Sequence, residues 1–598
     1  MALHPNPQFA REDYILLDGE WEFEITNFAT VFYWQPRLWE KDALGSKINV
    51  PFPVESKLSG VEDKEFNILV WYRKTFTLPK SWDESHVILN FGAVDYECTV
   101  WVNKKQTGTH VGGYSPFKMD ITPYLREGEN EIFVRVKDDC TDPKVPSGKQ
   151  SPLYKSFAAL YTRNTGIWQS VWLERVGEVN IESVRFTTKN DGNITFALDF
   201  SKSAVGCEVE CEVTFEGAPV YSAREKVTAI DYTHSFKIED VKLWGVGEGN
   251  LYDCKLTLLK NDETVDNVYS YFGVREVGFK DNAFVLNGKP TFLRLALDQG
   301  YYPEGIYSAP DEKALLRDID IALDAGFNGC RLHEKVFDPK YLYFADKKGF
   351  LTWGEYPNFG LSINKIESLA YILPEWLAVL KRDVNHPSIV TWCPFNETET
   401  NDYKSGELQC EDVIKAVYTV TKAFDSSRPV VDVSGSMHPV TGKTDIYDVH
   451  DYAQEEQIFR AHYGKGYYEL FPDKQARRDE PYMVTEFGGI LWDETGSSSW
   501  GYGSAPKTKE EFMERFEMMV ETLLSNPDCT GFCYTQLYDV EQEKNGLYTY
   551  ERTPKFDMKK IKAIVTKRQK SSKRARIAIK IAFFGIAKRG VRLYNTCN

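Results

Sequence analysis

Two glutamates stand at the ends of buried-looking runs. Glu397 closes Thr391-Trp-Cys-Pro-Phe-Asn-Glu397, and Glu486 lies near the end of Tyr482-Met-Val-Thr-Glu-Phe-Gly488. A carboxylate that ends an apolar, β-branched or aromatic run, with loop residues after it, occupies the position of a reacting group at the C-terminal mouth of a parallel barrel. Two such carboxylates fit cleavage of a glycosidic bond. That chemistry needs one protonated carboxyl for the leaving oxygen and one ionised carboxylate for the anomeric carbon, held on opposite sides of one bond.

Those side chains need a scaffold. At 598 residues the chain exceeds a single core, since domains run roughly 100–200 residues and large barrels about 250. From Trp21 to about Arg175, short alternating or aromatic-rich runs such as Trp71-Tyr-Arg-Lys-Thr-Phe and Cys98-Thr-Val-Trp-Val are broken by turn clusters, the pattern of a jelly-roll β-sandwich. A second set of strands, from Val179 to about Tyr271, has the length of an immunoglobulin-like β-sandwich. After Asn287-Gly-Lys-Pro, helical stretches such as the one opening at Asp311 alternate with short apolar strands. Counting Thr291-Phe-Leu-Arg-Leu there are eight, which predicts a (β/α)8 TIM barrel with Glu397 ending the fourth strand and Glu486 the seventh. The expected division is 1–177 for a sugar-binding-like jelly roll, 178–275 for the immunoglobulin-like sandwich, 276–566 for the barrel and 567–598 for a basic tail. No acidic residue follows Asp557, whereas Lys567, Arg568, Lys570 and Lys573 begin a basic run. This tail is expected to lie outside the fold rather than to serve as a polyanion-binding arm.

Composition excludes some partners. A net charge of −16 disfavours a general attraction to nucleic acid or an anionic membrane. No run approaches the roughly 20 apolar residues of a spanning helix. Eleven cysteines, an odd number without C-x-x-C spacing, read as reduced buried thiols. With no basic-then-apolar leader at the N-terminus, they make a cytoplasmic location the expectation. Aromatics reach 14% of residues, which suits β structure and also stacking on sugar rings.

Particular motifs go further. Trp71-Tyr-Arg73, Phe91-Gly-Ala-Val-Asp-Tyr96, Gly166-Ile-Trp-Gln-Ser-Val-Trp172, Asn328-Gly-Cys-Arg-Leu-His333, Asp383-Val-Asn-His-Pro-Ser388 and Asn396-Glu397 together resemble glycoside hydrolase family 2. This is the family of β-galactosidases, β-glucuronidases and β-mannosidases, and the resemblance extends to about Val565. It implies Glu397 as general acid/base and Glu486 as nucleophile. The acid role calls for a raised Glu397 pKa, through apolar walls and the second carboxylate. The resemblance also implies that Asn396 bonds the sugar 2-hydroxyl and that Tyr452 donates its hydroxyl to Glu486. Arg331, ending the second strand, offers a fork of donors to hold the nucleophile ionised. A structural ion pair competes for Arg331, and a packing role for Tyr452.

Other residues are candidates for the sugar subsite. Asp298 and Gln299 follow the first strand, His333 and Lys335 the second, and Gln536 and Asp539 the eighth. Trp392, Trp500 and Tyr534 are candidates to stack on a pyranose face, with core packing as the competing reading. Where β-glucuronidases carry Asn-x-Lys after the eighth strand, this chain has Glu543-Lys544-Asn545. The expectation is therefore a retaining exo-β-glycosidase of β-galactosidase type, releasing a terminal neutral sugar. The alternative is a β-glucuronidase or β-galacturonidase with Lys335 or Lys544 near the uronate. A non-catalytic carbohydrate-binding protein is the third reading. No metal or cofactor is expected, the partner is a small glycoside, and self-association stays open because no stretch identifies an interface.

Overall fold

The computed structural model describes residues 3–27, 37–83, 85–398, 409–440, 444–470, 477–494, 496 and 499–569. The basic tail from residue 570 onward lies outside them. Lys567 is anchored, its ammonium donating to Glu521 (2.6 Å) and to Glu517.

The first domain packs a six-stranded antiparallel sheet on a four-stranded one. At the centre of the larger sheet, Val134 in Glu129–Lys137 faces Tyr72 on one neighbour and Val100 on the other. All three enter a core with Trp21, Phe91 and Leu173 from both sheets. In the second domain a three-stranded and a four-stranded sheet bury Phe196, Val213 and Leu256 between them. Its strand Tyr232–Lys237 shows the alternation behind that packing, burying Tyr232, His234 and Phe236 and exposing the residues between.

The third domain is parallel. Its sheet runs in the order Ile389–Cys393, Leu351–Glu355, Gly329–Leu332, Leu293–Asp298, Cys529–Thr535, Tyr482–Gly488, Tyr447–Asp451. In chain order these are the fourth, third, second, first, eighth, seventh and sixth barrel strands. Residues 430–434 occupy the fifth position without forming a regular strand: Val430 bridges Trp392, Ser434 bridges Asn396, and the Asp445 N–H donates to the Val430 carbonyl. Eight strands are thus met by seven regular strands and one bridged segment. All residues of the seventh and eighth strands are buried, as expected of a parallel sheet covered on both faces.

Helices alternate with these strands for a local reason. Asp311 caps Glu312–Asp324 by accepting from the Ala314 N–H, and Leu315, Ile319 and Ala322 recur on the buried face. Beneath the barrel, Phe284 and Leu286 of a small antiparallel sheet pack on Leu293, Leu351, Val390 and Met483. The opposite, C-terminal end stays open to receive side chains.

The first domain reaches that open end. Ser147 and Gly148 donate their N–H groups to the Phe359 carbonyl, at 2.7 and 3.2 Å. Gly148 has φ +54°, and a Cβ there would fall 2.4 Å from the Glu334 carbonyl oxygen, so this close approach requires glycine. Of the cysteines, the ten in described residues are all free thiols, and nine of them are buried.

Candidate active site

Arg331 organises the mouth of the barrel. Its guanidinium is fully buried and donates from Nε to Glu355 Oε1 (2.6 Å) and from Nη2 to Asn396 Oδ1 (3.1 Å). Its Nη1 donates to Glu486 Oε1 (3.0 Å) and to the Thr485 carbonyl (2.8 Å). Burial opposes this charge, but Glu355 and Glu486 outweigh it and keep the guanidinium protonated. The fork therefore aims Glu486 through one oxygen and Asn396 through its carbonyl. On the other oxygen of Glu486, Tyr452 donates its hydroxyl. Burial and the Glu486 charge push the Tyr452 pKa well up, so this hydroxyl remains a donor. The Tyr452 ring stacks flat on Tyr502, centroids 3.5 Å apart, and half-buried Trp500 meets Tyr502 edge-on at 4.8 Å.

Asn396 is fixed from behind. Its N–H donates to Asn358 Oδ1 (2.7 Å), while Asn358 Nδ2 returns a bond to the Asn396 carbonyl (3.1 Å). With Oδ1 taken by Arg331, the buried Nδ2 of Asn396 has no partner among the described residues. It is a donor held ready for something outside the protein.

Glu397 follows the fourth strand in the left-handed region, with φ +45°. Its side chain is 32% exposed against 5% for Glu486, so Glu397 lines the open side of the cleft and Glu486 its floor. Between them lies His450, with Nδ1 2.6 Å from Glu397 Oε1 and Nε2 3.3 Å from Glu486 Oε1. One carboxylate oxygen of each glutamate and a ring nitrogen of His450 all fall within 4.8 Å of one another. No other His/Cys/Asp/Glu trio among the described residues is so compact, and each of these groups already has a partner within the protein. The expected rise of the Glu397 pKa is not found. Burial acts in that direction, but the hydrogen bond and charge of His450, helped by Lys149 and Arg331, bring the carboxyl below its usual value. His450 moves oppositely: burial lowers its pKa, while Glu486 and Glu397 more than reverse this.

The other candidates divide. His333 is buried with Nδ1 3.2 Å from Glu355 Oε2, and burial keeps its pKa well below the usual value. Gln536 and Gln299 are buried near the mouth, each with Oε1 unpartnered among the described residues, and Gln536 Nε2 donates to Asn545 Oδ1 (2.9 Å). Asp298 accepts from the Gly300 N–H (2.9 Å), Tyr341 (3.2 Å) and Tyr538, and burial pushes it up to about 6. Its oxygens are committed to the loop that follows its strand. Asp539 is committed likewise to Lys555 (2.8 Å) and the Gly546 N–H (2.9 Å).

Three expectations are corrected. Trp392 is fully buried, donating Nε1–H to Asp425 (2.9 Å) and meeting Trp376 edge-on, so it packs the barrel rather than a sugar. Tyr534 is fully buried between Phe487 and Phe516. Lys335 gives its ammonium to the Gly300 and Tyr307 carbonyls (2.5 and 2.8 Å) inside a cage of Trp168, Tyr307 and Phe337, and so cannot meet a uronate.

Other residues were not foreseen. Beyond His450, Glu355 and Asn358, the first domain supplies Lys149 and Tyr161. Tyr161 donates its hydroxyl to Glu543 Oε2, and Asn545 donates to Glu543 Oε1 (2.8 Å). Burial raises the Glu543 pKa. Lys149 is 7% exposed, its ammonium 5.1 Å from the Phe359 ring centroid. It forms no ion pair with a described residue, yet its charge favours the ionised forms of Glu397, Glu334 and Glu543.

The chain matches the glycosyl hydrolases family 2 sugar binding domain over residues 7–173, glycosyl hydrolases family 2 over 178–275, and the family 2 TIM barrel domain over 277–569. It is 29% identical over 351 residues to a Formosa agariphila protein with a provisional β-glucuronidase name, covering 56% of this chain and 41% of that one. It is 26% identical over 446 residues to a β-galactosidase of Thermoanaerobacter pseudethanolicus, covering 72% and 55%. The alignments thus span less than two thirds of either relative. In fold it is similar to a Bifidobacterium dentium β-glucuronidase solved with coumarin-3-O-glucuronide, at TM-score 0.79 and 19% identity over 93% of this chain and 98% of that one. From the sugar binding sandwich to the barrel that holds Glu397 and Glu486, the chain belongs to glycoside hydrolase family 2.

Proposed function

We propose that the protein is a retaining exo-β-glycosidase in which Glu486 is the nucleophile and Glu397 the acid/base. The observation that carries this is the approach of the two carboxylates: an oxygen of each lies within 4.8 Å of the other. Retaining enzymes hold their carboxyl groups about 5–5.5 Å apart, whereas inverting ones need roughly 6.5–9.5 Å to admit a water. Exposure supports the division of labour. Glu486 on the floor, held by Arg331 and Tyr452, attacks the anomeric carbon, and Glu397 on the open side protonates the leaving oxygen and then deprotonates the incoming water. Asn396 Nδ2 is available to the 2-hydroxyl, a bond that strengthens toward the oxocarbenium-like transition state. A binding protein without catalysis would have no use for this arrangement. Proton NMR of the first product is the test: the β-anomer is expected, with turnover lost in Glu486→Gln, and an α-anomer released first would sink the proposal.

For the terminal sugar we take a β-uronide. The provisional name of the Formosa relative supports this, and so does Lys149, a buried cation at the mouth without an ion-pair partner among the described residues. A neutral β-galactoside is the second reading. It is favoured by Glu543 after the eighth strand, because a carboxylate there disfavours the approach of a second carboxylate, and by the name of the Thermoanaerobacter relative.

A further inference from the structure

Resting on that reading, we infer that His450 is the proton store of Glu397, so that the acid/base is a carboxyl–imidazole pair whose proton is timed by the charge on Glu486. The geometry is direct. His450 and Glu486 are register partners on the adjacent sixth and seventh strands, and the imidazole reaches Glu397 with one nitrogen (2.6 Å) and Glu486 with the other (3.3 Å).

The groups facing His450 decide where its proton rests. Glu397 comes from beyond the fourth strand, and Glu486 from the seventh. Arg331 comes from the second strand with Nη1 at 3.3 Å, and Ser434 Oγ from the bridged fifth at 3.1 Å. Ser434 in turn donates to Asp448 on the histidine's own strand (2.7 Å), and the charge of His450 adds to the burial that keeps nearby His333 uncharged. Arg331 is the opposing cation, but its donors are already committed to Glu355, Glu486 and Asn396. Two adjacent carboxylates therefore favour an imidazolium in the resting enzyme. Gly435 leaves the space the ring needs, since a Cβ there would lie 2.2 Å from the imidazole.

The proton balance follows. The resting site holds imidazolium, ionised Glu397 and ionised Glu486. As Glu486 bonds to the anomeric carbon its charge is consumed, and the attraction that kept the proton on His450 weakens. The Nδ1 proton passes to Glu397, and Glu397 delivers a proton to the leaving oxygen as the glycosidic bond breaks. The intermediate has neutral His450, ionised Glu397 and an ester at Glu486, with the net charge unchanged. In the second half, water attacks the anomeric carbon, Glu397 takes its proton and returns one to Nδ1, and the Glu486 carboxylate is restored. A low Glu397 pKa in the free enzyme is then no obstacle to acid catalysis, because the pair already carries the proton.

The experiment compares His450→Asn and His450→Gln with wild type on aryl β-glucuronides or β-galactosides, whichever wild type hydrolyses faster, with leaving groups from dinitrophenol to phenol. A dinitrophenolate departs without protonation and a phenolate does not, so the phenyl-to-dinitrophenyl ratio of kcat/KM should fall by about 10²-fold in both variants, within the range of general acid catalysis. Their pH profiles should also lose the basic limb set by the imidazolium. An unchanged ratio in both variants, including equal losses on all leaving groups, overturns the inference. Glu397→Ala with added azide separates this from failure of the underlying reading. Rescue as the β-glycosyl azide upholds Glu397 as acid/base whatever His450 does, and absence of rescue removes that reading and the inference with it.

Discussion

Tyr452→Phe offers the sharpest probe of how the nucleophile is held. The change deletes one hydroxyl and keeps the ring, which stays stacked on Tyr502 at 3.5 Å, so packing is preserved. Glu486 then loses the donor on Oε2 while keeping Arg331 on Oε1 at 3.0 Å. In the proposed mechanism Glu486 is an ester in the covalent intermediate and becomes a carboxylate as that intermediate hydrolyses, so a bond to its oxygen is stronger at the end of that step than at the start. A hydrogen bond to a charged group contributes about 1.5–3 kcal/mol. At about 1.36 kcal/mol per tenfold, hydrolysis of the glycosyl-enzyme should slow by roughly 10- to 150-fold. Stopped-flow assays with a dinitrophenyl glycoside should show a burst of one phenolate per site, then a reduced steady rate and a lowered KM as the intermediate accumulates. A kcat within about twofold of wild type, or a large loss without burst or fall in KM, would refute the assignment of Tyr452 to the leaving nucleophile.

Two further outcomes are expected. In Lys149→Met the ratio of kcat/KM for an aryl β-glucuronide over the matching β-galactoside should drop by about 10- to 100-fold, the contribution of one charge-assisted bond to a uronate, and an unchanged ratio assigns Lys149 to the scaffold. Glu375 links the barrel helix Leu369–Asp383 to the first domain, accepting from the Tyr114 N–H and the Tyr356 hydroxyl, both at 2.7 Å. Burial pushes its carboxyl from 4.5 up to about 7. A raised carboxyl contributes stability that is complete below its unfolded value and lost as pH rises through the folded one. The midpoint of thermal unfolding should therefore fall as pH rises from about 5 to 8, and Glu375→Gln should flatten that slope. An identical slope in the variant assigns the pH dependence to other groups.

The meeting of Glu397, Glu486, Asn396 and Arg331 was legible because each stands where a strand gives way to its loop, and the barrel brings strand ends together whatever lies between them. Trp392 and Tyr534 stand on barrel strands too, the fourth and the eighth, and the same logic misplaced them. A parallel strand is buried on both faces, so no alternation in the sequence tells a residue facing the mouth from one facing the helices. Lys335 failed for another reason. The Gly300 and Tyr307 carbonyls that hold its ammonium lie on the loop after a different strand, and no local pattern announces them. His450 was within reach, two residues before Tyr452 in a strand-end run, but its register against Glu486 exists only once the sheet is formed. Lys149 and Tyr161 lay beyond any such reading, since more than 200 residues and an intervening domain separate them from Glu397. The raised pKa expected for Glu397 failed with His450, whose charge was missing from the argument.

Tyr161 clasping Glu543, with Gly148 pressed against Glu334, makes the pocket the joint property of two folding units. The barrel supplies the two carboxylates proposed to break the bond, and the first domain supplies Lys149 and Tyr161 beside them. Such a partition lets appetite drift while chemistry stays constant. Substitutions in the 147–161 loop that keep Lys149, whose charge acts on Glu397, can alter which glycoside is accepted while leaving the strands that carry Glu397 and Glu486 in place. Exchanging that loop between family members is thus a compact route to new preferences on an unaltered catalytic floor.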